Sequence, residues 1–128
     1  MRQIKFRGKD VETDKWVYGD LIQRIGYMPS IMYAYEHNGK ICYGECAVKR
    51  ETVGQFTGLL DKNGKEIYEG DIYRYTHPDS INEVSYCAGG GFAGFDLTPA
   101  MHSENRLLDV EVIGNIHDNP ELLKGGAE

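Results

Sequence analysis

The chain has 128 residues, of which 41% are hydrophobic and 27% charged; this is the balance of a folded domain and excludes a disordered tail or a fibre. At this size a core forms without help from a metal or a disulfide. Fourteen basic against twenty acidic side chains leave a formal charge of −6, which argues against nonspecific attraction to nucleic acid or anionic lipid. Length predicts one domain over residues 1–128, ordered over 1–124 with a flexible tail at 125–128. The opening Met1-Arg-Gln-Ile-Lys-Phe-Arg7 lacks the apolar stretch of a signal peptide, and no apolar run reaches the roughly 18 residues of a membrane helix. Cys42, Cys46 and Cys87 are an odd number and read as reduced thiols, so a cytoplasmic location is expected.

Period-two alternation runs through most of the chain. Ile4 and Phe6 alternate with Lys5 and Arg7, and Trp16-Val-Tyr-Gly-Asp-Leu-Ile22 follows a polar stretch from Gly8 to Lys15, which predicts a hairpin with a long loop. Ile31-Met-Tyr-Ala-Tyr35 and Ile41-Cys-Tyr43 are joined through His37-Asn-Gly-Lys40, where Asn38-Gly39 supplies the positive φ angles of a tight turn. Thr52 to Leu60 and Lys65 to Tyr68 flank Asp61-Lys-Asn-Gly64, a second hairpin with Asn63 and Gly64 at its turn. Gly58 and Gly70 fall where a β-carbon would hinder a bend, and Gly70 interrupts a β pattern as a bulge or corner does. Ile67, Ile72, Val112 and Ile113 are core candidates. Asn82 to Cys87 and Phe92 to Leu97 are weaker strands around a glycine run. Alternation returns from Arg106 to Ile116, with Leu108, Val110, Val112 and Gly114 on one side. Asn119-Pro-Glu121 then reads as a helix start: Asn119 caps, Pro120 takes the first helical position and Glu121 favours the positive end of the dipole. Short strands at this spacing, about eight or nine of them, predict an all-β barrel or sandwich with one short C-terminal helix.

Two segments resemble the signature of the YopX family of phage and prophage proteins: Gln55-Phe-Thr-Gly-Leu-Leu-Asp-Lys-Asn-Gly-Lys-Glu-Ile-Tyr-Glu-Gly-Asp-Ile72 and Glu111-Val-Ile-Gly-Asn-Ile-His-Asp-Asn-Pro-Glu-Leu-Leu123. Ile4-Lys-Phe-Arg-Gly8 and Trp16-Val-Tyr-Gly-Asp20 resemble the amino-terminal part of that family as well. The resemblance implies a mainly β fold, an SH3-like small β-barrel with additional hairpins, encoded by a bacteriophage or prophage. It implies no activity and supplies no catalytic residue. Met28 to Lys49 and His77 to Asn105 carry little of it, so a function particular to this member is expected there.

Local motifs for chemistry fail on their context. Gly89-Gly-Gly-Phe-Ala-Gly94 satisfies the glycine spacing of a dinucleotide loop, but Phe95-Asp-Leu-Thr-Pro99 follows it where a phosphate-binding helix should begin. Asp61-Lys-Asn-Gly starts like a calcium loop, yet its glycine comes two positions early and Ile72 stands where the closing carboxylate belongs. Cys42 and Cys46, with His37 nearby, lack the paired spacings of a zinc site; on a strand both thiols share a face with Gly44 and pack as small apolar groups. His37, His77, His102 and His117 are scattered and no nucleophile pairs with them. No metal or cofactor is assigned.

The leading reading is therefore a non-enzymatic accessory module that works by protein–protein contact, with a host or phage protein or with itself as a homo-oligomer, because tyrosine is enriched at interfaces and strand edges invite partner chains. A second reading is a nucleic-acid-binding regulator: Lys5, Arg7 and Lys9 share a strand face opposite Ile4 and Phe6, and Tyr73 and Tyr75 flank Arg74, so that bases could stack beside a basic strand. A third is a small hydrolase built on Glu66, Glu69 and Asp71, although twenty acidic residues produce such clusters by composition.

Overall fold

Asn38 and Gly39 carry φ angles of 51° and 77° in the computed structural model, which describes residues 4–76, 79–87, 91–93, 106–107 and 109–125. Two left-handed residues in succession give the turn whose twist matches the strands it joins. Strands β3 (Ser30–His37) and β4 (Lys40–Ala47) accordingly pair along their whole length, from His37↔Lys40 to Ser30↔Ala47. The chain divides into two compact units, Met1–Gln55 and Phe56–Glu128.

In the first unit, β1 (Phe6–Lys9) and β2 (Trp16–Ile22) form the first hairpin, in register Phe6↔Gly19 to Lys9↔Trp16. Its loop is tied by Asp10, whose Oδ1 accepts the Glu12 N–H at 2.8 Å while its carbonyl accepts the Asp14 N–H at 2.9 Å. β3 pairs with β2, so the strands follow the order β4-β3-β2-β1. Val48 is fully buried, and a β-carbon on Gly8 would lie 2.9 Å from Val48 Cβ, so only glycine lets this backbone close over the valine. A 3-10 turn at Arg50–Thr52 stands where the sequence predicted the start of a strand. Thr52 explains it: its hydroxyl donates to the Lys49 carbonyl at 2.6 Å and accepts the Lys9 N–H at 2.8 Å, a local arrangement that competes with a ladder.

Strand β5 (Gly54–Leu60) begins against β1 through Gly54 and Gln55 and continues in the second unit, where it pairs with β6 (Glu66–Tyr68). The register shifts between Phe56 and Leu60, and Gly58 in that interval has a φ of 87°, the bulge geometry that a β-carbon would strain. Gly64, at a φ of 84°, closes the Asp61-Lys62-Asn63-Gly64 turn, and Gly70, at 93°, turns the chain into β7 (Asp71–Thr76). β7 lies between β8 (Asp79–Glu83) and β11 (Val110–Asn115), and β9 (Ser85–Cys87) pairs with β10 (Gly91–Ala93). The core of this unit is Leu59, Ile67, Tyr73, Val84, Leu107, Val110 and Val112, with Tyr75 packed against it. Ile72 is fully buried too, whereas Ile113 is half-buried because β11 changes register between Val112 and Gly114.

Three expectations are corrected here. The fold is mainly β, but among the described residues the sheets are open: strand order ends at β4 in the first unit and at β8 and β11 in the second. Alternation reports that strands pair, whereas closure into a barrel requires strand tilt and stagger that no local pattern encodes. Helix α1 spans Glu121–Gly125 with Pro120 immediately before it, its carbonyl accepting the Leu123 N–H. Asn119 does not read as a simple cap, since its Oδ1 turns back to accept the Asn115 N–H at 3.3 Å. On β1 Gly8 is buried against Val48, and on the opposite face Arg7 is buried as well rather than presented to solvent as the basic-strand reading requires. Trp16, directly opposite Lys9, supplies the reason: its ring lies 4.5 Å from the Arg7 guanidinium carbon and covers it.

Candidate interaction surface

A two-residue hairpin turn fixes which backbone groups of its strands face each other. His37↔Lys40 closes the turn as a hydrogen-bonded pair, so Lys40, Cys42, Gly44 and Cys46 aim their N–H and C=O at β3, while those of Ile41, Tyr43 and Glu45 point away from it. Among the described residues that outer side is met at its C-terminal end, where the Val11 N–H donates to the Ala47 carbonyl at 3.1 Å, and no strand lies beyond it at Ile41 and Tyr43. The same alternation sets Ile41, Tyr43 and Glu45 on one face of the ribbon and Cys42, Gly44 and Cys46 on the other.

One face carries Ile41 and Tyr43 between the exposed Glu36 and Glu45, and the other runs from buried Ile31 to exposed Tyr35. Ile41 is 61% and Tyr43 70% exposed, and Tyr35, on the opposite face, is 48% exposed. The large hydrophobic side chains exposed among the described residues all belong to the first unit: Ile4, Val11, Tyr18, Ile25, Tyr27 and Met28 in addition to these three. Scattered exposed apolar groups are ordinary, but Ile41 and Tyr43, on one face along a strand edge, have the character of a contact surface.

The ribbon is stiffened from within. The Tyr33 ring lies across Gly44, where a β-carbon would stand 2.5 Å from Tyr33 Cζ, so the glycine makes room for the ring. The Cys46 sulfur and the Tyr33 hydroxyl meet at 3.9 Å; hydrogen bonding between them that favours the protonated phenol holds Tyr33 above its ordinary pKa, and the Tyr33 and Tyr35 rings stand 6.1 Å apart. Arg24, from the loop before β3, grips Glu45 with a fork of 2.7 and 3.3 Å, and this hydrogen bonding lowers the Glu45 carboxyl. Both partners are exposed enough that the pair adds little stability; its effect is to neutralise the one charged side chain among the outward-facing residues of the edge.

The residues proposed to meet nucleic acid fall in different units, and each set is taken up by its own surroundings. Lys5, Arg7 and Lys9 lie in the first unit and Tyr73 and Tyr75 in the second. Arg7 is buried against Trp16; Lys9 sits 5.5 Å from the same ring and 3.6 Å from Asp14. Tyr73 has no exposed surface, its ring meeting Tyr75 edge to face at 5.3 Å, so no base can stack on it. Burial pushes the Tyr73 phenol up to about 12, with the neighbouring Tyr75 adding to the shift. A folded pKa above the unfolded value of about 10 means that the neutral phenol is favoured in the fold; its stabilisation is complete below pH 10 and is lost as pH rises from there through 12. Alkaline titration followed at 295 nm (about the phenolate band) should show this tyrosine ionising last, together with unfolding, and Tyr73→Phe should remove that component.

The carboxylates of the hydrolase reading serve the fold. Glu66 Oε1 accepts the Tyr68 hydroxyl at 3.0 Å and Asp71 Oδ2 accepts the Tyr68 N–H at 2.7 Å. Asp61, first residue of the calcium-like run, is buried and its carboxylate accepts the N–H groups of Asn63, Lys65 and Val112. No group of three or more His, Cys, Asp or Glu able to hold a metal occurs among the described residues, and no helix there is long and apolar enough to cross a membrane. Gly89, Gly90 and Gly94, with His77 and His102, lie outside the described residues.

Comparison with known proteins agrees with this architecture. The family model described as YopX protein matches residues 5–124. The chain belongs to the YopX family. A crystal structure of protein EF1440 from Enterococcus faecalis superposes with a TM-score of 0.61 at 29% identity, covering 96% of this chain and 99% of that one. A search of curated proteins finds no match. Within this YopX-family chain, the exposed ribbon falls inside Met28 to Lys49, where the sequence leads us to expect a function particular to this member. One sign of it stands in the sequence: Ile41-Cys-Tyr-Gly44 places apolar or small residues on both faces of one strand, a pattern that a half-buried strand does not show.

Proposed function

We propose that this YopX-family protein is a non-enzymatic accessory module that works by protein–protein contact, with the β3–β4 ribbon of its first unit as the contact surface, in the phage or prophage setting that its sequence resemblance implies. The observation that carries the reading is that, among the described residues, the exposed large hydrophobic side chains all belong to the first unit and include Ile41 and Tyr43 on the outer edge of β4. Addition of a strand to such an edge draws affinity from backbone hydrogen bonds and specificity from alternate side chains, and exposed Ile41 and Tyr43 are the alternate side chains here. Burial of the predicted basic strand's Arg7 and of Tyr73 leaves nucleic acid without comparable support.

The test is affinity capture from a phage-producing bacterial lysate with the chain and with its Ile41→Lys/Tyr43→Lys variant. Both positions are exposed, so the variant should keep its melting temperature. Proteins held by the chain and lost from the variant are the expected result; identical recoveries from the two forms would reject this surface.

A further inference from the structure

We infer that the free edge of β4 is a homodimer interface in which two copies pair antiparallel, with Cys42 of each opposite Cys42 of the other. The inference rests on the reading of the ribbon as a contact surface and commits that surface to one occupant, a second copy of this chain.

A two-fold axis normal to a sheet keeps each face on its own side, so residues that meet across the axis share a face. For β4 this leaves only registers centred on a residue, and those pairing most of the strand centre on Cys42, Tyr43, Gly44 or Glu45, the last of which sets Glu45 against Glu45. Centring on Tyr43 sets Ile41 against Glu45, and centring on Gly44 sets Tyr43 against Glu45, a charged group against an apolar one in each case. Centring on Cys42 sets Ile41 against Tyr43 of the second copy and Tyr43 against its Ile41. A β-branched side chain beside an aromatic one is a favourable cross-strand pair, and it occurs twice. Both pairs use the outward-facing backbone groups, so about four N–H···O bonds join the copies. The row Ile41, Tyr43 is thus completed by itself read in the opposite direction, which is what singles out a second copy as the occupant.

Charges fit the same register. Glu45 meets Gly39 and is already gripped by Arg24, and Lys40 meets Gly44, so no like charges stand opposite one another. Gly44 is the residue that the Tyr33 ring crosses, which brings the second copy's Lys40 beside an aromatic face. On that face Cys42 meets Cys42 as a non-hydrogen-bonded pair, with Cα atoms about 4.5 Å apart. That separation is within the span of a disulfide, and the thiol is free, so it reports the register.

The experiment combines light scattering with single-thiol cross-linking of the full chain. Wild type in reductant should have twice the 14.4 kDa mass of one chain, and Tyr43→Lys should return it to one chain mass. In a background with Cys46→Ser and Cys87→Ser, copper phenanthroline should join Cys42 to Cys42 at least about tenfold faster than it joins thiols placed by Ile41→Cys or Tyr43→Cys in the Cys42→Ser chain. A dimer that cross-links fastest at 43, or at none of the three, overturns the register. A monomer at every concentration overturns the dimer; if that monomer still captures a protein through Ile41 and Tyr43, the contact-surface reading survives while this inference falls.

Discussion

Replacing Asp61 with alanine is expected to lower the stability of the fold by at least about 3 kcal/mol, because buried backbone donors left without an acceptor each cost about 1–3 kcal/mol. Asp61 is buried, and its carboxylate accepts the N–H groups of Asn63 at 2.8 Å, Lys65 at 2.9 Å and Val112 at 3.0 Å. The first two shape the turn between β5 and β6; the third ties that turn to β11, which lies far away in sequence. A single side chain therefore holds a local hairpin and a long-range contact at once. Asp61→Asn keeps one oxygen acceptor but brings amide hydrogens into the same space, so its stability should fall between those of wild type and alanine. Urea unfolding decides the matter through the midpoint, with an unchanged slope showing that the same surface is exposed. A loss below about 1 kcal/mol for the alanine variant would mean that solvent reaches these N–H groups.

Gly19→Ala should be nearly as damaging, by about 3 kcal/mol, for a different reason. A β-carbon at this position of β2 would collide with the Met32 carbonyl oxygen on β3. Backbone cannot swing aside as a flexible side chain can, so the two strands must part, and the ladder that supports the exposed ribbon loosens with them. Gly26→Ala is the control. Gly26 has a φ of 86° but nothing within 4 Å of where its β-carbon would sit, so it bears only the left-handed strain of about 1–2 kcal/mol. Thermal unfolding of the two variants separates collision from strain: Gly19→Ala should melt well below Gly26→Ala, and equal shifts would contradict the close approach of β2 and β3.

The parts of the fold that rest on neighbours in sequence were legible in it. Asn38-Gly39 and Asp61-Lys62-Asn63-Gly64 announce their turns because φ preference belongs to the residue itself, and the hairpins on either side follow from the turns. The shared face of Cys42, Gly44 and Cys46 was legible for the same kind of reason, since alternation in a strand needs no knowledge of what lies beyond it. The contact surface was legible only as a tendency: nine tyrosines suggested exposed aromatics, but not which ones. Tyr43 is largely exposed and Tyr73 wholly buried, although both sit in strands of similar local pattern.

What the sequence by itself determined, then, is a YopX-family chain of antiparallel hairpins with known turns and a short terminal helix. Tertiary structure alone decided that Arg7 lies inward under Trp16 while Ile4 faces out and, among the described residues, that the sheets remain open and that no strand lies beyond β4 at Ile41 and Tyr43. The physical reason is common to all three. A period of two states that a strand has two different faces and two edges; which face is covered and which edge is free depends on segments that arrive from elsewhere in the chain, and burial follows the contacts they make rather than the polarity of the residue.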